Sequence, residues 1–85
     1  MSKPKDEIYF RNLLRDKFDG RTGYPLDLLT DDVDLEGDLG IDSLLVREVW
    51  AKAREETGLS TDVRPPKTPS IRELAKLLSE EASKS

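Results

Sequence analysis

Apolar residues recur at helical spacing in three stretches of the chain. In the first, Ile8, Phe10, Leu13, Leu14 and Phe18 follow one another at three- and four-residue steps, which predicts a core-facing amphipathic helix from about Asp6. Gly20 weakens its last turn, and Gly23 before Tyr24-Pro25 predicts its stop. Residues 1–5 contain Pro4, offer no apolar anchor and read as a flexible tail.

The second stretch predicts a helix from Asp42 or Ser43 to Thr57, stopped by Gly58. With Leu44 at 0° and about 100° per residue, Leu45, Val46, Val49, Trp50 and Ala53 fall between about 100° and 240°, on a core face. Leu44 falls opposite, in one stripe with Glu48, Ala51 and Glu55. An apolar residue on the wet face beside Ser43 is not explained by the core. Asp42 suits the helix start, where free backbone N–H groups and the helix dipole favour an acid.

Between these helices, residues 25–41 form a connection long enough that its own side chains must hold it. Leu26, Leu28, Leu29, Val33, Leu35, Leu39 and Ile41 are available for that, and Leu26-Asp27-Leu28-Leu29 suits a short helical turn. After Gly58, residues 59–68 read as loop. Pro65-Pro66 blocks a regular helix there, although one turn near residues 61–64 fits. The third stretch starts near Pro69-Ser70, where Ser70 and Glu73 have capping-box spacing. Ile71, Leu74, Ala75 and Leu78 make its apolar stripe, and residues 81–85 read as a fraying tail. The expected fold is all-α: a small bundle with a long first loop, occupying residues 6–80.

Composition removes much chemistry. The 85 residues form a single small domain with no Cys and no His. That excludes disulfides, thiolate metal sites, and Ser-His or Cys-His catalysis. Any thioester chemistry would need a thiol from an attached group. The longest apolar run is Leu44-Leu45-Val46, too short for a membrane span or a signal-peptide core, so a cytoplasmic setting is expected. Charge is unevenly spread. From Thr22 to Val46 there is no Lys or Arg, and seven of the 18 acids lie there; the other 11 face 14 bases elsewhere. This acidic approach to Ser43 would repel nucleic acid and suits a basic protein partner.

Three chemistries compete for this region. Asp32, Asp34, Glu36 and Gly37 match the first half of a calcium loop, but the twelfth position is Ser43 rather than Glu. A solvated acidic loop is the plain alternative. Ser43 as a catalytic nucleophile lacks a base and lacks the glycine spacing of a nucleophile elbow. Ser43 as a helix cap is structurally natural. Ser43 as a modification site is also natural, since a phosphodiester at a helix start meets backbone donors and a favourable dipole.

Asp38-Leu39-Gly40-Ile41-Asp42-Ser43-Leu44 resembles the phosphopantetheine attachment motif of acyl carrier proteins, with Glu48 matching a common acid of that family. Thr22-Gly23-Tyr24-Pro25, then Val33-Asp34-Leu35-Glu36, is similar to carrier domains of polyketide synthases and polyunsaturated fatty acid synthases. Pro69-Ser70-Ile71-Arg72-Glu73-Leu74-Ala75 resembles the start of their last helix. The similarity runs from about Ile8 to Leu78.

The resemblance implies a four-helix bundle with a short or irregular third helix. It implies a non-catalytic carrier whose Ser43 bears 4'-phosphopantetheine from coenzyme A, making it a phosphoprotein, with Asp42 as the motif acid. Polyketide or fatty acyl intermediates would ride as thioesters. Leu44, Glu48, Ala51, Glu55 and Asp38 would meet partners: a phosphopantetheinyl transferase, a ketosynthase, an acyltransferase and other synthase domains. The isolated domain would be monomeric, freestanding or cut from a synthase. No metal, membrane or nucleic acid is implied. Arg47, Lys52 and Arg54 interrupt the acids of the second helix, which favours a synthase-type domain over a fatty-acid-type carrier. Gly40-Ile41-Asp42 lacks the Gly-Gly pair of peptidyl carriers. The alternative is an unmodified helical interaction module of the same fold, its serine only a cap.

Overall fold

The computed structural model describes residues 6–84, the last of these by its backbone alone. The expected flexible segment at residues 1–5 lies outside the described residues. Three helices follow one another: α1 (Glu7–Thr22), α2 (Ser43–Glu56) and α3 (Ile71–Lys84). Among the described residues there is no strand.

Helix α1 begins where expected. The Asp6 side chain accepts from the Tyr9 N–H at 3.0 Å, satisfying a donor with no partner inside the helix. It ends at Gly23, whose φ of 76° is left-handed and whose N–H donates to the Asp19 carbonyl at 2.8 Å. Phe10, Leu14 and Phe18 are fully buried and Leu13 half-buried. Ile8, expected on the core face, is 59% exposed, whereas Phe10 two residues on is fully buried.

Helix α1 packs most extensively on α3 and less on α2. Ile71, Leu74, Ala75 and Leu78 of α3 are all fully buried, as their spacing predicts. Each such Leu, Ile or Phe contributes roughly 1.5–3 kcal/mol by leaving water. The Ser70 hydroxyl accepts from the Glu73 N–H at 3.2 Å. Helix α3 runs to Lys84, into the segment expected to fray, and Glu81 pairs with Arg54 of α2.

Between α2 and α3, where the resemblance implies a short or irregular helix, residues 57–70 hold turns, bends and irregular chain and no regular helix. Helix α2 closes with the Gly58 N–H on the Glu55 carbonyl and the Leu59 N–H on the Arg54 carbonyl, the paired bonds of a Schellman stop. Beyond it the chain is pinned by side chains instead of its own backbone. The Trp50 indole donates to the Val63 carbonyl at 2.6 Å, and the Arg54 guanidinium donates to the Ser60 carbonyl. Pro65 and Pro66 lack the N–H groups a helix would need.

The long first loop is held as well. Leu29, Leu35 and Ile41 are buried under the bundle. Leu26 and Leu28, expected to help, are about half exposed; the short helical turn expected there forms as two successive tight turns. The Tyr24 hydroxyl donates to the Leu39 carbonyl at 2.9 Å, and Arg15 donates to the Leu29 carbonyl at 2.7 Å. Backbone bonds from Leu35 to Pro69 and from Arg72 to Asp31 tie the loop to the entry of α3.

Candidate functional site

Ser43 stands where this loop turns into α2. Gly40, with φ at 66°, makes the left-handed turn that a side chain would strain. Ile41 buries its side chain and anchors the chain just before the helix. Asp42 follows in extended conformation as the N-cap, its carboxylate accepting from the Leu44 N–H at 2.7 Å. The cap is therefore Asp42, and Ser43 is the first residue inside the helix. Its side chain is exposed and its hydroxyl bonds to no described residue.

The wheel of α2 holds apart from one residue. Val46, Val49, Trp50 and Ala53 are buried and Leu45 is half-buried. Leu44 is 63% exposed, Glu48 and Glu55 are exposed, and Ala51 is half-exposed. Glu48, Ala51 and Glu55 line one shallow groove of about 220 Å³ together with Arg21 and Lys52. Glu48 also forms an exposed ion pair with Arg21 of α1.

Arg54 is the exception. Sequence spacing set it among the surface cations that interrupt the acidic face, but it is fully buried. Its guanidinium lies 5.1 Å from the Trp50 ring centroid and pairs with Glu81. Only Arg47 and Lys52 interrupt that face.

The acidic run is also less uniform than its composition suggests. Asp31 is a structural hub, pairing with Arg11 at 2.6 Å and also with Arg15 and Arg72. Asp32 pairs with Arg72 at 2.8 Å. Asp34 accepts from the Glu36 and Gly37 N–H groups at 3.1 and 2.8 Å, closing a turn. Asp38 is exposed and accepts from the Asp34 N–H at 3.2 Å. Among the described residues, no group of three or more acids is arranged to hold a metal ion. No described helix is long and apolar enough to cross a membrane.

Ser43 opens onto a second cleft, of about 270 Å³, whose lining includes neither Leu44 nor Glu48. Glu36, Arg47, Arg64, Pro65, Pro66 and Lys67 line the rest of it. Nothing in the spacing of Arg64 and Lys67 signalled this placement, because it depends on how the 59–70 segment folds back.

An accessible serine hydroxyl with no internal partner, at a capped loop-to-helix corner, fits attachment of an arm through a phosphodiester. The family of the phosphopantetheine attachment site matches residues 12–78, well over half of the chain. No curated protein and no solved structure matches it.

Proposed function

The chain belongs to the phosphopantetheine attachment family, and on that premise we propose that Ser43 bears the arm of an acyl carrier domain serving polyketide or related fatty acid assembly. The family carries covalently attached 4'-phosphopantetheine. When bound, that group supplies a thiol on a long arm, on which acyl intermediates ride as thioesters. A chain without Cys has no other thiol to offer.

The observation that carries the assignment to Ser43 is the division of labour at the start of α2. Asp42 caps the helix, and the Ser43 hydroxyl is exposed and unbonded. A serine kept only as a cap would make the bond that Asp42 makes. This supports the carrier over an unmodified interaction module. Attachment forms an Oγ–P bond on Ser43, breaks the pyrophosphate bond of coenzyme A and releases its adenosine bisphosphate half; the hydroxyl proton leaves to the transferase.

The protein's own part is to hold that anchor still and to present a docking face. Leu44 supplies an exposed apolar contact, and Glu48, Ala51 and Glu55 line a shallow groove in which two acids meet Arg21 and Lys52. Asp38 extends the acidic approach. Carrier domains of this family generally work with a phosphopantetheinyl transferase and with synthase enzymes; we assign a ketosynthase and an acyltransferase to this face. A carrier must release each partner, so these contacts are small and short-lived.

Intact mass tests the assignment. After incubation with coenzyme A, magnesium and a broad-specificity phosphopantetheinyl transferase, the protein gains one phosphopantetheine unit and Ser43→Ala gains none. A folded protein that gains nothing sinks it.

A further inference from the structure

Of the seven arginines in the chain, five are engaged in ion pairs: Arg11, Arg15, Arg21, Arg54 and Arg72. The other two, Arg47 and Arg64, both line the cleft beside Ser43. Lys67 joins them there. None of the three bonds to a described residue, although the chain has four more acids than bases. Glu36 is the one carboxylate on the cleft wall, so cations outnumber anions around it by two.

We propose that this cleft holds the phosphodiester joining the arm to Ser43, and so turns the root of the arm toward residues 64–67. The inference rests on attachment of the arm at Ser43. Arg47 lies four residues beyond Ser43, one helical turn along the same face. Arg64 and Lys67 reach the same cleft from the segment that follows α2, on either side of Pro65-Pro66. Those prolines restrict the backbone between the two cations. Guanidinium groups match phosphate oxygens with two parallel donors. The phosphate is also the only part of the arm fixed within reach, being bonded to Ser43 itself; the distal thioester swings freely. A root held on this side leaves Leu44 and Glu48 clear for partners.

The test compares 15N-labelled protein before and after loading, with loading verified by intact mass. On loading, the backbone amides of Arg47, Arg64 and Lys67 are expected to shift along with those around Ser43. The 31P resonance of the loaded protein is expected to move when Arg64→Gln and Lys67→Gln are combined. It is expected to move the same way in wild type at about 1 M salt, where the screening length is roughly 3 Å. All three side chains are on exposed residues, so the variant keeps its helicity, which circular dichroism checks. A loaded protein whose amides at 64 and 67 stay put, and whose 31P resonance ignores both the double variant and salt, overturns the inference while leaving attachment intact. That pattern is expected if the cleft instead receives an acidic partner surface. Failure of the mass shift itself overturns the attachment reading.

Discussion

The buried guanidinium of Arg54 donates to the carboxylate of Glu81, joining the end of α2 to the last turns of α3. Arg54 is fully buried, whereas the Glu81 side chain is 35% exposed. The two ends of the pair are therefore unequal. Removing Glu81 leaves a cation inside the bundle, while removing both charges frees only the carbonyl of the exposed Ser60. Glu81→Ala is expected to cost about 1–3 kcal/mol. The combined Arg54→Met and Glu81→Leu change is expected to recover most of that loss, as apolar replacements of buried ion pairs often do. Urea unfolding followed by helicity is the measurement; Trp50 fluorescence is unsuitable because Arg54 sits over its ring. A double variant less stable than Glu81→Ala would show that the pair adds net stability.

Asp42 and Ser43 stand side by side with separable duties. Asp42→Ala removes the cap and is expected to destabilise the fold by about 1 kcal/mol. Ser43→Ala removes a hydroxyl without a partner and is expected to change stability by less than about 0.5 kcal/mol. The ranking is expected to reverse for modification: Ser43→Ala should abolish loading, and Asp42→Ala should leave the nucleophile in place. Thermal unfolding and intact mass on the same two variants check both halves. A stability loss from Ser43→Ala as large as that from Asp42→Ala would restore the capping role to the serine.

How much of this was visible in the residues depends on what fixes each part. The helices and their buried stripes were legible, because Val46, Val49, Trp50 and Ala53, or Ile71, Leu74, Ala75 and Leu78, obey a local period. Ser43 and Leu44 were legible for the same reason, being placed by the wheel and the cap. Arg54 was not, since a long cation just outside the core-facing arc reads as surface unless its distant partners, Ser60 and Glu81, are known. Asp31 was counted as acidic surface, yet Arg11, Arg15 and Arg72 come from two helices to meet it. The 59–70 segment lacks periodicity, so its path, and with it the cleft beside Ser43, is set by Trp50 and Arg54 gripping its backbone.

Leu44 offers the sharpest contrast with the core. It is 63% exposed, one residue from Ser43 and two from the fully buried Val46. Leu44→Ala is expected to leave stability within about 0.5 kcal/mol of wild type, whereas Leu74→Ala, in the core, is expected to cost about 2–5 kcal/mol. With the arm loaded, Leu44→Ala is expected to slow transfer to a partner ketosynthase without altering the mass gained on loading. Unchanged transfer rates would remove Leu44 from the docking face.

Arg21 bears on that same face through Glu48. The two form an exposed ion pair between α1 and α2, each side chain at least half exposed. Such pairs contribute little to stability, typically no more than about 1 kcal/mol, so its consequence lies in recognition. A basic partner that uses Glu48 must compete with Arg21 for the carboxylate. Arg21→Gln is therefore expected to speed association with such a partner, and Glu48→Gln to slow it. Both effects should shrink as salt screens the approach. The double variant is expected to match Glu48→Gln alone, because Arg21 acts only by occupying the acid. Association rates of the loaded carrier at low and high ionic strength decide this. If Arg21→Gln slows association, then Arg21 itself meets an acidic partner surface, and Glu48 merely holds it in place.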